Sequence, residues 1–287
     1  MPSTVTEFLD LLDLETIEDN LFRGRSPATS LQRVFGGQVA AHALVAATRT
    51  VAPAYVVHSL HSYFLRPGDT AVPIVYDVDA VRDGRSFATR RVIARQHGRP
   101  IFAMTLSFQI PEEGLDHQDT MPAVPAPEDC PDLAELFRAR TGGEEDWPRE
   151  WGALEVRFAG NSRPGGELED PDFPARSRLW IRVSGELPDE PLPHTAAFTY
   201  ASDMTLLGAA LIPHEIFISS AGMQAASLDH SIWFHRPFRA DEWWLYDQHS
   251  PSASGGRGLA IARIFTQDGR LVASVAQEGL IRFRAQD

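Results

Sequence analysis

Lysine is absent from this 287-residue chain: all 26 of its basic residues are arginine. There is therefore no Schiff-base amine, no anchor for pyridoxal phosphate, no P-loop lysine and no Ser–Lys dyad. Cysteine occurs once, as Cys130. A single thiol excludes an intrachain disulfide and any zinc cluster built on several cysteines. Its surroundings, PAPEDCPDL, are acidic and proline-rich, which does not favour a thiolate nucleophile. Apolar runs are short, none near the roughly 18 residues that a membrane-spanning helix needs. The opening residues, MPSTVTEFLDLLDLE, lack the basic start of a secretory signal, and the closing RFRAQD matches no peroxisomal or endoplasmic retention signal. Positive charge is scarce as well, 26 basic against 39 acidic residues for a formal charge of −13. Nucleic acid is a poor partner for such a chain, because binding it calls for a basic stripe. These absences predict a soluble, cytoplasmic protein with no membrane span.

Several motifs are missing too. No serine has glycine at both −2 and +2, so there is no nucleophile elbow, and no HExxH zinc motif is present. The histidine spacings His58/His61 and His230/His235 do not suit two ligands on one helix face, so no metal is expected. A GxGxxG phosphate loop is lacking, and Gly36-Gly37 is too short to make one. Together these leave no signature of a nucleophile relay, a zinc hydrolase or a phosphate-binding loop.

What is present is ample core material, 43% hydrophobic, arranged in a duplication. Residues 111–150 hold 6 Pro and 12 acidic residues against 3 Arg. Apart from a helical pattern over Leu133–Arg140, this stretch reads as a connector. The expected division is residues 1–112, a connector at 113–150, and residues 151–287. HSYFLRPGD in the first flank is echoed by DHSIWFHRPF in the second, and RDGRSFATRRVIARQHGRP by SGGRGLAIARIFTQDGRL. Placing His61 on His230, Arg85 on Arg257 and Gly98 on Gly269 needs offsets of 169, 172 and 171, the signature of an internal repeat. QHGRP and QDGRL are hairpin-turn signals. Each copy also carries an apolar helical run upstream of its strands. The first is Gln38–Val51, apolar nearly all round and so buried. The second is Ala201–Leu211, with Ser202 or Asp203 as N-cap and Pro213 ending it. The predicted fold is α+β: two tandem repeats, each a central helix wrapped by an antiparallel β-sheet.

Seven segments carry a family resemblance: FRGRSP (22–27), QRVFGGQV (32–39), HSYFLRPGD (61–69), TMPAVPAP (120–127), YASDMTLL (200–207), LDHSIWFHRPF (228–238) and SVAQEG (274–279). Running nearly end to end, they resemble the acyl-CoA thioesterase II family, whose fold is a double hotdog. The resemblance implies hydrolysis of fatty acyl-CoA to fatty acid and CoA, with no cofactor. It also implies a homo-oligomer, a dimer or larger assembly of double hotdogs. Carried over position by position, it implies an Asp, a hydroxyl residue and a Gln around a water: Asp203, Ser227 and Gln277 in the C-terminal repeat. The hydroxyl residue is commonly Thr in such relatives; Ser presents the same donor and acceptor.

The residues alone leave choices open. Gln277 interrupts the apolar stretch Leu271–Ile281, where a buried amide without partners would cost about 1–3 kcal/mol; a structural bond to a neighbouring strand satisfies it as well as a water does. Asp203 at a helix start reads equally as an N-cap, and a helix N-terminus would also polarise a thioester oxygen. Asp229, two residues from Ser227 and on the same strand face by alternation, is a rival carboxylate. His58 is a further candidate or a core histidine. Arg66, Arg90, Arg91 and Arg236 are all candidates for the coenzyme phosphates. Two other functions fit this outline: a hotdog enoyl-CoA hydratase or dehydratase, and a non-catalytic acyl-CoA binding module.

Overall fold

The computed structural model describes residues 1–141, 150–168 and 175–283. The acidic run at 142–149 of the expected connector, and the last four residues of RFRAQD, lie outside the described residues. After helix α1 (Val5–Leu12), the first half runs β1 (Glu15–Glu18), β2 (Leu21–Gly24), α2 (Gly36–Thr48), β3 (Val56–Phe64), β4 (Ile74–Asp83), β5 (Phe87–Gln96) and β6 (Arg99–Gln109). Helix α3 (Leu133–Thr141) follows, close to the expected short helix. The second half runs β7 (Leu154–Asn161), β8 (Arg176–Val183), α4 (Pro191–Ser202), β9 (Met223–Ser227), β10 (Asp229–Phe234), β11 (Trp244–Ser254), β12 (Arg257–Thr266) and β13 (Leu271–Phe283).

The strands form one antiparallel sheet in the order β1-β2-β4-β5-β6-β3-β10-β13-β12-β11-β8-β7, with β9 pairing on β13. The halves meet at β3 and β10, which pair symmetrically about His61 opposite Ser231, with Asp229 opposite Tyr63 and Trp233 opposite Ser59. Repeated contacts give the same symmetry. Leu65 and Arg66 donate to Ile101 O, and His235 and Arg236 donate to Val272 O. The structural equivalence is thus 170 residues along β3/β10 and 171 along β6/β13. His61 corresponds to Ser231, one position from the His230 that sequence matching selects.

Each sheet half wraps a helix, and the two helices pack on each other: the double hotdog. Helix α2 is buried from Gly37 through Ala47 because its residues are small and apolar on every face. Its one ring, His42, is fully buried against the Tyr76 hydroxyl at 3.1 Å, and burial pushes its pKa down to about 4, so it is neutral. The β5–β6 hairpin turns at His97 and Gly98, both at positive φ (49° and 70°), as QHGRP foretold. Cys130 is buried beside Trp180, Leu245 and Phe265, and burial raises its thiol pKa.

The second central helix departs from expectation. It spans Pro191–Ser202, upstream of the Ala201–Leu211 run, which instead forms the end of the helix and a 3₁₀ segment, Leu206–His214. Pro191 and Pro193 lie in the first turn of the helix, where proline is well suited because its missing N–H is not needed. Asp203 is consequently the C-cap of α4, not an N-cap. Pro213 lies within the 3₁₀ segment, which ends at Glu215 with φ 55°.

The packing makes a simple prediction. Leu44 on α2 has no exposed surface, so Leu44→Ala is expected to lower unfolding free energy by about 2–5 kcal/mol. Urea denaturation followed by circular dichroism measures it; a loss below 1 kcal/mol would contradict a tightly packed helix interface.

Candidate active site

Three elements bring the expected residues together. Asp203 projects from the end of α4, Ser227 ends β9, and Gln277 lies in β13. Gln277 Nε2 donates to Ser227 Oγ at 2.8 Å and to Asp203 Oδ1, and Ser227 Oγ donates to Asp203 Oδ1 at 2.9 Å. The amide orientation follows from the carboxylate, which repels Oε1 and attracts the NH₂. Gln277 has no exposed surface, and its Oε1 has no partner among the described residues.

A fourth element closes the site. The first two residues of α2, Gly36 and Gly37, abut Asp203 from the opposite half. The Gly37 N–H bonds the carboxylate. A Cβ on Gly36 would lie 2.5 Å from Asp203 Oδ2, and one on Gly37 only 2.2 Å from Tyr200 O. Side chains at either position would separate the halves. The pair Gly36-Gly37, too short for a phosphate loop, therefore permits a close helix approach. The helix N-terminus near Asp203 is α2's, reached across the interface.

Burial pushes the Asp203 carboxyl up to about 6, against hydrogen bonds from Ser227, Gln277 and the Gly37 N–H that favour its charged form. At neutral pH it is ionised and more basic than an ordinary Asp. Behind it, Tyr246 donates to Ser202 O at 2.7 Å, and the ring of buried His230 bonds Ser202 Oγ at 2.8 Å. These contacts fix the peptide from which Asp203 departs.

Asp229 is not part of the cluster. Alternation would put it on the face of Ser227, but pairing slips at Leu228: Ser227 lies opposite Gly279, and Asp229 takes the Glu278 N–H at 2.8 Å. This bulge turns Ser227 inward and Asp229 outward. His58 lies away from the cluster and bonds Ser107 Oγ at 2.8 Å.

Asp203 and Ser227 border a cavity of about 490 Å³ with walls from both halves, among them Phe35, Val39, Phe64, Met204 and Leu207. Of the arginines singled out by sequence, Arg66 lines it, held by Pro100 O at 2.6 Å. Arg90 is buried and bonded to Asp83 at 2.6 Å, and Arg91 pairs with Asp79 at 2.7 Å. Arg236 pairs with Asp116. Arg33, which sequence reasoning passed over, lines the cavity with no ion pair among the described residues. No cluster of three metal-ligating side chains occurs among the described residues, and none of their helices is long and apolar enough to cross a membrane.

The raised carboxyl has a thermodynamic consequence. Its folded-state pKa lies above its unfolded value of 3.8, so the native state holds the extra proton, and stability falls as pH rises from about 4 to about 6. Asp203→Asn is expected to stabilise the fold at pH 7 by up to about 3 kcal/mol, with the gain vanishing near pH 4. Denaturant melts of both proteins across that range measure it; an unchanged difference between pH 4 and pH 7 would contradict the shift.

Comparison with known proteins gives the family. A family model described as acyl-CoA thioesterase matches residues 167–280, and one described as acyl-CoA thioesterase N-terminal domain matches residues 25–109. Acyl-CoA thioesterase 2 of Haemophilus influenzae is 41% identical over 294 residues, covering 99% of each chain. The crystal structure of an acyl-CoA thioesterase II from Mycobacterium marinum superposes with a TM-score of 0.83 at 47% identity, covering 96% of this chain and 98% of the other. A protein of hot dog fold from Alicyclobacillus acidocaldarius shares the architecture at 22% identity, with a TM-score of 0.78 over 97% and 99% of the two chains. The matches span both halves and the segments that carry the cluster, and on that ground the chain belongs to the acyl-CoA thioesterase II family.

Proposed function

We propose that the protein hydrolyses fatty acyl-CoA to free fatty acid and CoA, with Asp203, Ser227 and Gln277 holding the attacking water. The observation that carries this reading is the convergence of these three side chains on one another beside a helix N-terminus, with Asp203 and Ser227 at the wall of an apolar cavity and Gln277 buried behind them. Asp203 takes a proton from the water as it attacks the thioester carbonyl. Its pKa of about 6 makes it the general base and leaves it ionised at neutral pH. Ser227 and Gln277 fix the carboxylate, and the unpaired Gln277 Oε1 is a ready acceptor for the second hydrogen of the water. The start of α2, the positive end of its dipole, polarises the carbonyl oxygen. The acyl chain lies among Phe35, Val39, Phe64 and Leu207, and Arg33 and Arg66 at the same cavity meet the coenzyme phosphates. The enoyl-CoA hydratase reading has less support, because His230 is buried, pushed down to about 3 by desolvation, and bonded to Ser202 away from Asp229.

The domain division, a homo-oligomer and a cytoplasmic location belong to the same proposal. The matching of the two family models to separate halves supports the domain division, and the edge strands β1 and β7 of an open sheet support the homo-oligomer.

Three outcomes are expected. Asp203→Asn and Gln277→Ala each lower kcat for acyl-CoA by about 10²–10⁴-fold, measured as thiol release from a chain-length series. Near-normal turnover in both would end the assignment, and absent thiol release in the unmodified protein would end the thioesterase reading. The kcat of the unmodified protein rises with pH and levels off above about 6, as Asp203 ionises. A flat profile from pH 5 to 8 would remove Asp203 as base. Gly36→Ala drives a methyl group into Asp203 and Phe64 and lowers kcat at least tenfold, with secondary structure retained by circular dichroism.

A further inference from the structure

The symmetry that joins the halves places a second cavity, about 650 Å³, where the partner of the catalytic cavity must lie. Its walls are the counterparts of the first. Val56, Val57 and His58 stand where Ala226, Ser227 and Leu228 stand, and Phe234, His235, Arg236 and Pro237 where Phe64, Leu65, Arg66 and Pro67 stand. The rim arginines make the same bond, Arg66 to Pro100 O and Arg236 to Leu271 O.

The chemistry is gone from this copy. Ser227 is replaced by Val57, and Gln277 by Leu106, the residue 171 positions earlier. Counting back from the C-terminal ends of the helices, the Asp203 C-cap of α4 corresponds to the Arg49 C-cap of α2, and Gly37 to Pro191. Proline has no N–H, so the backbone donor that holds the carboxylate in the first site has no counterpart here, and the base and its two supporting side chains are missing as well. The space remains, within the range of small-molecule sites, roughly 300–1,000 Å³.

The charges limit what can fill it. Arg236, the counterpart of a coenzyme-facing arginine, is taken by the Asp116 carboxylate and the His117 carbonyl of the segment after β6. Arg239 is held by Asp189 and Asp241. Burial pushes His58, His194 and His235 below the ordinary histidine range, so they contribute no positive charge at neutral pH. Arg270 is left as a cation with no ion pair among the described residues. Besides Asp189, two carboxylates border the same cavity, Glu242 and Glu112, the latter accepting from Gln109 Nε2 at 2.7 Å. One available cation among these carboxylates can meet a single negative head at most and not a chain of phosphates. Val56, Val57, Phe234 and Phe238 supply apolar wall.

We propose that this second cavity is a non-hydrolytic binding site for a free long-chain fatty acid, with its carboxylate at Arg270 and its chain against Val57, Phe234 and Phe238. The choice of fatty acid rests on the thioesterase reading, since that acid is the product; the site itself does not.

The test is a calorimetric titration of the full chain with palmitate, in the presence of a saturating non-hydrolysable thioether analogue of palmitoyl-CoA. The analogue occupies the catalytic cavity, and one palmitate is expected to bind per chain. Arg270→Glu, on an exposed turn, weakens that site at least tenfold, and Val57→Trp, which fills the cavity, removes it. No palmitate bound beside the analogue, or binding that neither substitution changes, would overturn the proposal. So would two analogues per chain with palmitate displaced, since acyl-CoA would then be the occupant. If the chain binds no analogue and releases no thiol, the thioesterase reading falls, and palmitate titrated alone with the same two variants still decides the second site.

Discussion

The pairing of β3 with β10 is the constraint on which the rest of the molecule depends. It fuses two helix-and-sheet units into one sheet, and the strand symmetry then sets how α2 and α4 meet. Their contact brings the first turn of α2 to the last residue of α4. Asp203 belongs to one half, and the backbone donor that stabilises its charge belongs to the other. Neither half holds the complete arrangement. The loop from Ser26 to Phe35, which walls the catalytic cavity, is likewise tied across. Burial disfavours charge on Glu150, yet hydrogen bonds from Thr29 and Ser30 outweigh it and hold that carboxyl down at about 2.

The site is maintained against its own stability. A carboxylate enclosed in protein is disfavoured by desolvation, and the three donors around Asp203 recover part of that cost. The same enclosure makes the group basic enough to take a proton near neutral pH. Basicity and strain on the fold have one cause here, as is common where function resides in a buried polar cluster.

Much of this could be read from the chain, and the failures have physical reasons. The duplication, the buried Ala-rich helix and the hairpin at His97-Gly98 were all visible, because repeats, apolar periodicity and turn residues act locally; the candidate trio came only from the family resemblance. The start of α4 was hidden, because prolines that signal a loop elsewhere also open helices. Choosing between Asp203 and Asp229 was beyond period-two counting, since one unpaired residue, Leu228, inverts the phase of the strand. The value of Gly36-Gly37 was missed because the neighbour requiring the absent side chains lies 167 residues away, at Asp203. Arg33 gave no signal, as an exposed arginine is unremarkable until a cavity is seen beside it.

The break in pairing at Leu228 has a counterpart in the first half, between Val57 and Ser59. Both halves therefore present their strand residues to the interior in the same phase, one showing serine and the other valine at the same step. The difference between the two cavities resides in a few side chains on a common backbone frame. In the language of gene duplication, both copies kept the mould and differ in the side chains cast in it.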